Sequence, residues 1–252
     1  MEQDRYKTNM RFWIDRACLQ GSQFLIKDSL YHHVCHVAKI KKGESFELFC
    51  EGLQKYQVVL SFVSSSRAVA DIVQTYPVSP LKKPYLHLAF SLPRLSKMEN
   101  LIEKAVELGV KEIQPFISEF SFFKDSSKLT SSRQKRWNKI RDHSLALSGR
   151  TDRLNIQPLI PLFDICVPKE DLALIAYEGN TSSPHLAEIL KAHKNPSAIW
   201  LFIGSEGGFS LEEIEKFTQS SQAFYFTMGE QILKVETACL FGLSVLKYHY
   251  HL

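Results

Sequence analysis

The spacing of apolar positions changes once along this chain, and the change divides it. From Met10 to about Tyr76 apolar residues alternate with polar ones in short runs. Arg11-Phe12-Trp13-Ile14, Glu44–Phe49, Tyr56–Val63 and Ala68–Val73 therefore read as strands, because aromatic and β-branched residues at period two suit a half-buried pleat. A weakly helical piece, Asp28–Val37, interrupts them. Short strands at close spacing predict a small β-barrel. Tyr76–Pro84 then carries three prolines in nine residues, the composition of a stiff linker and a domain boundary. The expected division is a domain over 1–76, a linker over 77–84 and a second domain over 85–252.

Beyond the linker, strand-like and helix-like stretches alternate. Tyr85–Leu92 is a strand. Ser96 with Glu99 reads as a capping box opening a helix whose inner side is Met98, Leu101, Ile102, Ala105 and Leu108, stopped by Gly109. Glu112–Ile117 is a strand. Ser131 with Gln134 opens a basic helix with Trp137, Ile140, Ser144 and Leu147 inward and Arg133, Lys135, Arg136, Lys139 and Arg141 largely outward. Leu172–Tyr177 is a strand and Pro184–Lys191 a helix. Ile199–Ile203 is a fully buried strand, and Ser210 with Glu213 caps the helix that follows. Ala223–Phe226 is the last strand, before a helix from about Val235. Such alternation predicts an α/β domain with a parallel sheet.

Two turns at the ends of these last strands carry glycine. Gly204-Ser205-Glu206-Gly207-Gly208 follows one strand, and Met228-Gly229-Glu230-Gln231-Ile232-Leu233 the next. Glycine lets backbone approach a ligand where a Cβ would intervene, and the carboxyl ends of parallel strands form ligand crevices. Either turn alone is equally explained as a tight strand-to-helix connection; the pair favours one small-molecule site. The dinucleotide fingerprint and the P-loop lysine are both missing from them, so NAD and ATP are poorly supported.

Composition and charge add to this picture. At 44% hydrophobic and 23% charged the chain has the make-up of a globular protein, without an apolar run of membrane-spanning length. Five scattered cysteines without Cys-x-x-Cys spacing suit a reduced, cytoplasmic protein. Charge is concentrated: Lys124–Arg153 holds nine Lys or Arg against three Asp, exceeding the net +4 of the whole chain. With Arg5, Lys7, Arg11 and Arg16 near the start, this points to nucleic-acid phosphate over a merely solvated face. His32, His33, Cys35 and His36 are too crowded to converge on one ion, so no metal is expected.

The glycine turn Gly204–Ser210, together with Met228–Ala238, resembles the paired signature of the SPOUT methyltransferases, and more narrowly of the RsmE family, which methylates N3 of a uracil in 16S rRNA. Arg11-Phe12-Trp13, Lys97-Met98-Glu99 with Lys104–Val110, and Ser148-Gly149-Arg150 are similar to further family segments, so the resemblance covers nearly the whole chain. It implies a PUA-like β-barrel followed by an α/β domain with a C-terminal trefoil knot, a homodimer, the small ribosomal subunit as partner, and S-adenosylmethionine as cofactor. The cofactor would be held by Tyr177, Glu178, Ile203, Gly204, Glu206, Gly207, Gly208, Met228, Gly229, Ile232 and Leu233. Arg150 and Lys234 are candidates for stabilising the base or holding phosphate, Glu236 for orienting it or accepting its proton, and Arg11, Lys39, Arg133, Arg136 and Lys139 for contacting RNA. The chain departs from the family at Ser205 (usually Pro), Lys234 (usually Arg), Ala146-Leu147 (usually Glu-Gln) and Ala38-Lys39 (usually Leu-Arg). Two alternatives are a non-catalytic RNA-binding or ribosome-assembly protein of the same fold, and a SPOUT enzyme with another RNA target.

Overall fold

A computed structural model describes residues 10–52, 54–125, 129–179, 185–220 and 223–252; Arg5, Lys7 and Pro184, named above, and Lys128, one of the nine basic residues of Lys124–Arg153, lie outside them. The chain divides into two compact units. One takes the chain up to Pro80 together with Arg141–Arg153, the other Leu81–Ile140 together with Leu154–Leu252.

The first unit is built on strands β1 (Arg11–Trp13), β2 (Leu19–Gln20), β3 (Gln23–Lys27), β4 (Ser45–Phe49), β5 (Gln54–Val63) and β6 (Arg67–Pro77). They form one sheet in the order β1-β4-β5-β6-β3-β2, with only the β1–β4 pair parallel. Breaks in register at Gln57/Val58 and Leu60/Phe62 bulge the long β5–β6 ribbon. Bulges increase local twist and bend the strand, so the sheet curls into a half-barrel. Alternation works as expected on β5, where Tyr56, Val58 and Leu60 point into a core shared with Phe24, Phe46 and Leu48. β2 and β3 escape the pattern reading, being short and joined by a tight turn at Gly21 (φ 62). The helical piece is α1 (Asp28–His32), which continues as a wider π turn over His33–Val37. β6 runs as far as Pro77, so the extended connection is shorter than its prolines suggest.

The second unit holds strands β7 (Tyr85–Ser91), β8 (Val110–Ile117), β9 (Asn155–Ile156), β10 (Ile160–Pro161), β11 (Leu172–Ala176), β12 (Ala198–Ile203) and β13 (Ala223–Phe226). All pairings are parallel, in the order β10-β8-β7-β12-β11-β13, with β9 also on β8. Every residue of β12 is buried, as a central strand covered on both faces requires. Helices α2 (Leu95–Glu107), α3 (Ser131–Ser148), α4 (Leu186–Ala192), α5 (Leu211–Ser220) and α6 (Val235–His249) connect or follow the strands. From β12 the chain passes through α5 to β13 on the far side of β11. It then returns to lay α6 on β12, β7 and α2.

Three local expectations are corrected. α2 begins at Leu95, so Ser96 stands inside its first turn and Arg94 takes the cap position without a side-chain bond. At α3 the first helical bond runs from Gln134 N–H to the Thr130 carbonyl (3.2 Å), which moves the boundary one residue before Ser131. On the same helix Leu147, expected inward, is 59% exposed, whereas Arg141, expected outward, is only 8% exposed. The helix belongs to one unit through Ile140 and to the other from Arg141, and a single apolar stripe cannot describe an element with two partners in turn. The Ser210–Glu213 box is formed as expected. Glu213 N–H donates to Ser210 Oγ (3.2 Å) and Ser210 N–H to Glu213 Oε2 (3.0 Å).

α6 approaches the sheet through a glycine. A Cβ on Gly242 would lie 2.6 Å from Leu201 Cδ2 and 3.1 Å from Met228 Cε. Leu201 is fully buried and has nowhere to withdraw. Gly242→Ala is therefore expected to lower unfolding free energy by about 1–3 kcal/mol, the usual cost of overpacking. Chemical denaturation checks this, and an unchanged midpoint would show that α6 can ride off the sheet freely.

Candidate active site

Parallel register sets the site. Ile203 pairs with Phe90 and Ala176, and Ala176 with Phe226, so β7, β12, β11 and β13 reach the same level at their carboxyl ends. Three loops leave that edge at 177–179, 204–210 and 227–234.

The loop after β12 is folded on itself. Ser205 and Gly208 form an isolated antiparallel bridge, and Ser205 Oγ accepts from Gly207 N–H (3.2 Å). A Cβ on Gly204 would come 2.8 Å from the carbonyl carbon of Gly208. Gly208 has φ 71, and the Glu178 carboxylate occupies the space its side chain would need. These two glycines are thus required first by the loop's own closure and by Glu178. In the loop after β13, Thr227 Oγ1 accepts from Gly229 N–H (3.2 Å) and lies 3.1 Å from the Gly229 carbonyl, tying the turn at its base.

Together the loops enclose one cleft. Tyr177, Glu178, Ile203, Gly204, Glu206, Gly208, Met228, Gly229, Ile232 and Leu233 line it, all named from the sequence. Ala176, Ser205, Thr227, Gln231, Val235 and Ala238 line it as well; they adjoin the named residues in the same loops, and only contiguity in the sequence could have signalled them. Gly207 is not in the lining and faces Phe120, whose Cβ would be 3.0 Å from a Cβ placed there. The walls combine buried aliphatic groups (Ile203, Val235, Ala238) with loop backbone and two carboxylates, a lining suited to a flat, partly apolar ligand with polar edges. Its free space of ≈ 70 Å³ is small beside the ~300–1,000 Å³ typical of ligand pockets. Ile232, on the loop after β13, is 83% exposed.

The charged candidates separate into groups. Glu236, half-buried in the first turn of α6, pairs with Lys97 at 3.3 Å, and Lys97 Nζ also reaches Glu206 at 3.3 Å. Burial works against the Lys97 charge, but hydrogen bonds to Glu236 and Glu206 outweigh it and raise the pKa of the ammonium. Lys97 was not among the site residues expected from the sequence. The Lys97-Met98-Glu99 segment carries no local sign that its lysine bridges carboxylates more than a hundred residues away. Lys234 is exposed at the cap position of α6, without a side-chain capping bond. Arg150 belongs to the other unit, where its guanidinium pairs with Asp152. In that unit Arg11 pairs with Glu47 (3.0 Å) and donates to the Leu147 carbonyl (3.3 Å), and Lys39 is exposed with φ 56. Arg133, Arg136 and Lys139 are exposed along one side of α3, Arg136 pairing with Glu99 at 2.6 Å.

The family profile described as an RNA methyltransferase domain matches residues 80–247. The ribosomal RNA small subunit methyltransferase E of Bacillus subtilis is 24% identical over 236 residues, covering 91% of each chain. That of Mesomycoplasma hyopneumoniae is 28% identical over 246 residues, covering 93% of this chain and 97% of its own. In fold, the chain is similar to the methyltransferase E of Neisseria gonorrhoeae bound to S-adenosyl methionine, with a TM-score of 0.82 at 22% identity over 95% of this chain and 98% of that one.

Gly208→Ala places a side chain both at positive φ and against Glu178, and is expected to cost about 1–3 kcal/mol of stability. Adding Glu178→Ala removes the clash but not the strain, so the double variant should recover part of that loss. Denaturation of both singles and the double reads the coupling; strictly additive effects would contradict the contact.

Proposed function

Because the chain belongs to the RNA methyltransferase domain family and groups within it with the small-subunit methyltransferase E proteins, we propose that it is an S-adenosylmethionine-dependent enzyme methylating N3 of a specific uridine in 16S rRNA. The observation that carries this reading is the single cleft formed by the Tyr177, Gly204–Gly208 and Met228–Leu233 loops at the carboxyl edge of the sheet. When bound, S-adenosylmethionine supplies a methyl group activated by its sulfonium.

The chain's own residues supply the rest. Ile203, Ile232 and Leu233 offer apolar contact to a purine, and loop backbone around Gly204 and Met228–Leu233 offers donors and acceptors to its edges and ribose. Fixing donor and acceptor in line lowers a barrier by roughly 7–11 kcal/mol when alignment is good. Uracil N3 carries a proton that has to leave. Glu236, paired with Lys97, is the group we assign to accept it. Lys97 and Lys234 are fixed positive charges that favour negative charge developing on the uracil carbonyls. Arg150 is assigned to phosphate, as are Arg11, Lys39, Arg133, Arg136 and Lys139; clustered cations bind RNA by releasing counterions.

Further parts of the reading follow family identity. The curled sheet of the first unit serves as a PUA-like RNA-binding domain over about 1–76, joined by 77–84 to a SPOUT domain over 85–252. Support for a trefoil knot in the latter comes from the path that crosses from β12 to β13 beyond β11 and returns to α6. The enzyme acts as a cytoplasmic homodimer on the small ribosomal subunit.

N3-methyluridine mapping in 16S rRNA tests the assignment. The modification should vanish from cells deleted for the gene and return with the wild-type copy; a site still modified in the deletion contradicts it. Glu236→Gln should reduce kcat by roughly 10²–10⁴-fold while cofactor affinity by calorimetry stays within a few-fold of wild type.

A further inference from the structure

We propose that a second cleft, walled by Arg94, Lys97, Phe120, Phe122 and Glu206, receives the target uracil as an unstacked base lying on the Phe122 ring. This rests on the RNA methyltransferase reading and names the substrate subsite within it.

The two clefts share a wall. Glu206 lines both, and Lys97 bridges Glu206 to Glu236, so the second cleft opens beside the carboxylate assigned to the N3 proton. Its free space of ≈ 330 Å³ is ample for one base. Phe120 and Phe122 are 48% and 61% exposed, an unfavourable way to present two large apolar rings unless something covers them.

The loop that carries them is tied at several points by hydrogen bonds. Ser121 Oγ accepts from Ser118 N–H (2.6 Å) and is 2.6 Å from Ser91 Oγ, with all three serines buried. Glu119 N–H donates to Glu213 Oε1 (2.8 Å), which joins the loop to the cap of α5, and Lys124 Nζ donates to the Glu119 carbonyl. Between these anchors the two phenylalanines point outward, one on either side of Ser121. Phe120 is backed by Gly207, which gives that glycine a use on this side of the loop. Arg94 lies over the Phe122 ring at 5.6 Å, and Phe123 meets it edge-on at 5.0 Å.

This chemistry matches a pyrimidine. A flat ring stacks on Phe122, its two carbonyl oxygens accept from Arg94 and Lys97, and its N3–H turns toward the carboxylates. A uracil inside a helix cannot present N3 in this way. Enzymes that act on a base unstack it and hold it against aromatic or apolar side chains.

The test uses the full chain saturated with S-adenosylhomocysteine and a short single-stranded oligouridylate as probe. Loss of a stacking ring weakens binding roughly 5- to 150-fold. Phe122→Ala should therefore lower oligouridylate affinity and kcat/KM for rRNA by a factor in that range, with S-adenosylmethionine affinity unmoved. Phe122→Trp should recover most of the loss, and its fluorescence should be quenched on adding oligouridylate; Trp13, Trp137 and Trp200 are buried, out of reach of a stacking base, and their emission is a background read from the wild-type chain. Unchanged kcat/KM and oligouridylate affinity in Phe122→Ala overturn the subsite and leave the methyltransferase reading standing. Quenching in Phe122→Trp, from a chain that forms no N3-methyluridine in rRNA, upholds the subsite and sinks the N3 assignment instead. A change of oligomeric state in Phe122→Ala without a change in oligouridylate affinity assigns the rings to a protein partner and overturns the subsite too.

Discussion

Four parallel strands ending level is the constraint on which the rest depends. Phe90, Ile203, Ala176 and Phe226 share one rank across the sheet, held by ladders through β12, which is buried along its whole length. Since side chains alternate faces, a one-residue slip of β12 would turn Trp200 and Phe202 from one layer into the other and break both hydrophobic faces at once. With the ends level, the loops after β11, β12 and β13 share one rim. The cleft is a consequence of register before it is a consequence of any particular side chain.

On that rim the glycines act in a definite order. Gly204 and Gly208 allow the loop to fold back on itself and let Glu178 lie over it, and only then does the loop present backbone to the cleft. Charge is arranged one layer further out. Lys97 gathers Glu206 from the loop after β12 and Glu236 from the first turn of α6, so a cation, the proposed proton acceptor and a wall of the cleft are joined. The pinned Ser118–Lys124 loop places its exposed rings against the same Glu206.

What could be read from the sequence follows how local each signal is. The Ser210–Glu213 cap was legible because both partners lie within one turn, and the β12 run because uninterrupted apolarity admits few alternatives. The α/β alternation and the two glycine loops were likewise visible, as were most of the residues lining the cleft. Leu147 and Arg141 were misjudged because α3 changes partners at Arg141, which no period along the helix encodes. β2 and β3 were too short to show a pattern. Lys97 eluded the reading because its partners are Glu206 and Glu236, and Gly207 took another place because Phe120 approaches it from the far side of the loop. Both are long-range facts of packing.

Methyl transfer to uracil N3 is the activity assigned to this rim. The most direct measurement incubates the purified protein with S-adenosylmethionine labelled in its methyl group and unmodified 16S rRNA, then identifies the labelled nucleoside. Label is expected in N3-methyluridine at a single position and is lost in Glu236→Gln. Label in any other nucleoside, or none from a protein that binds the cofactor, would contradict the assignment.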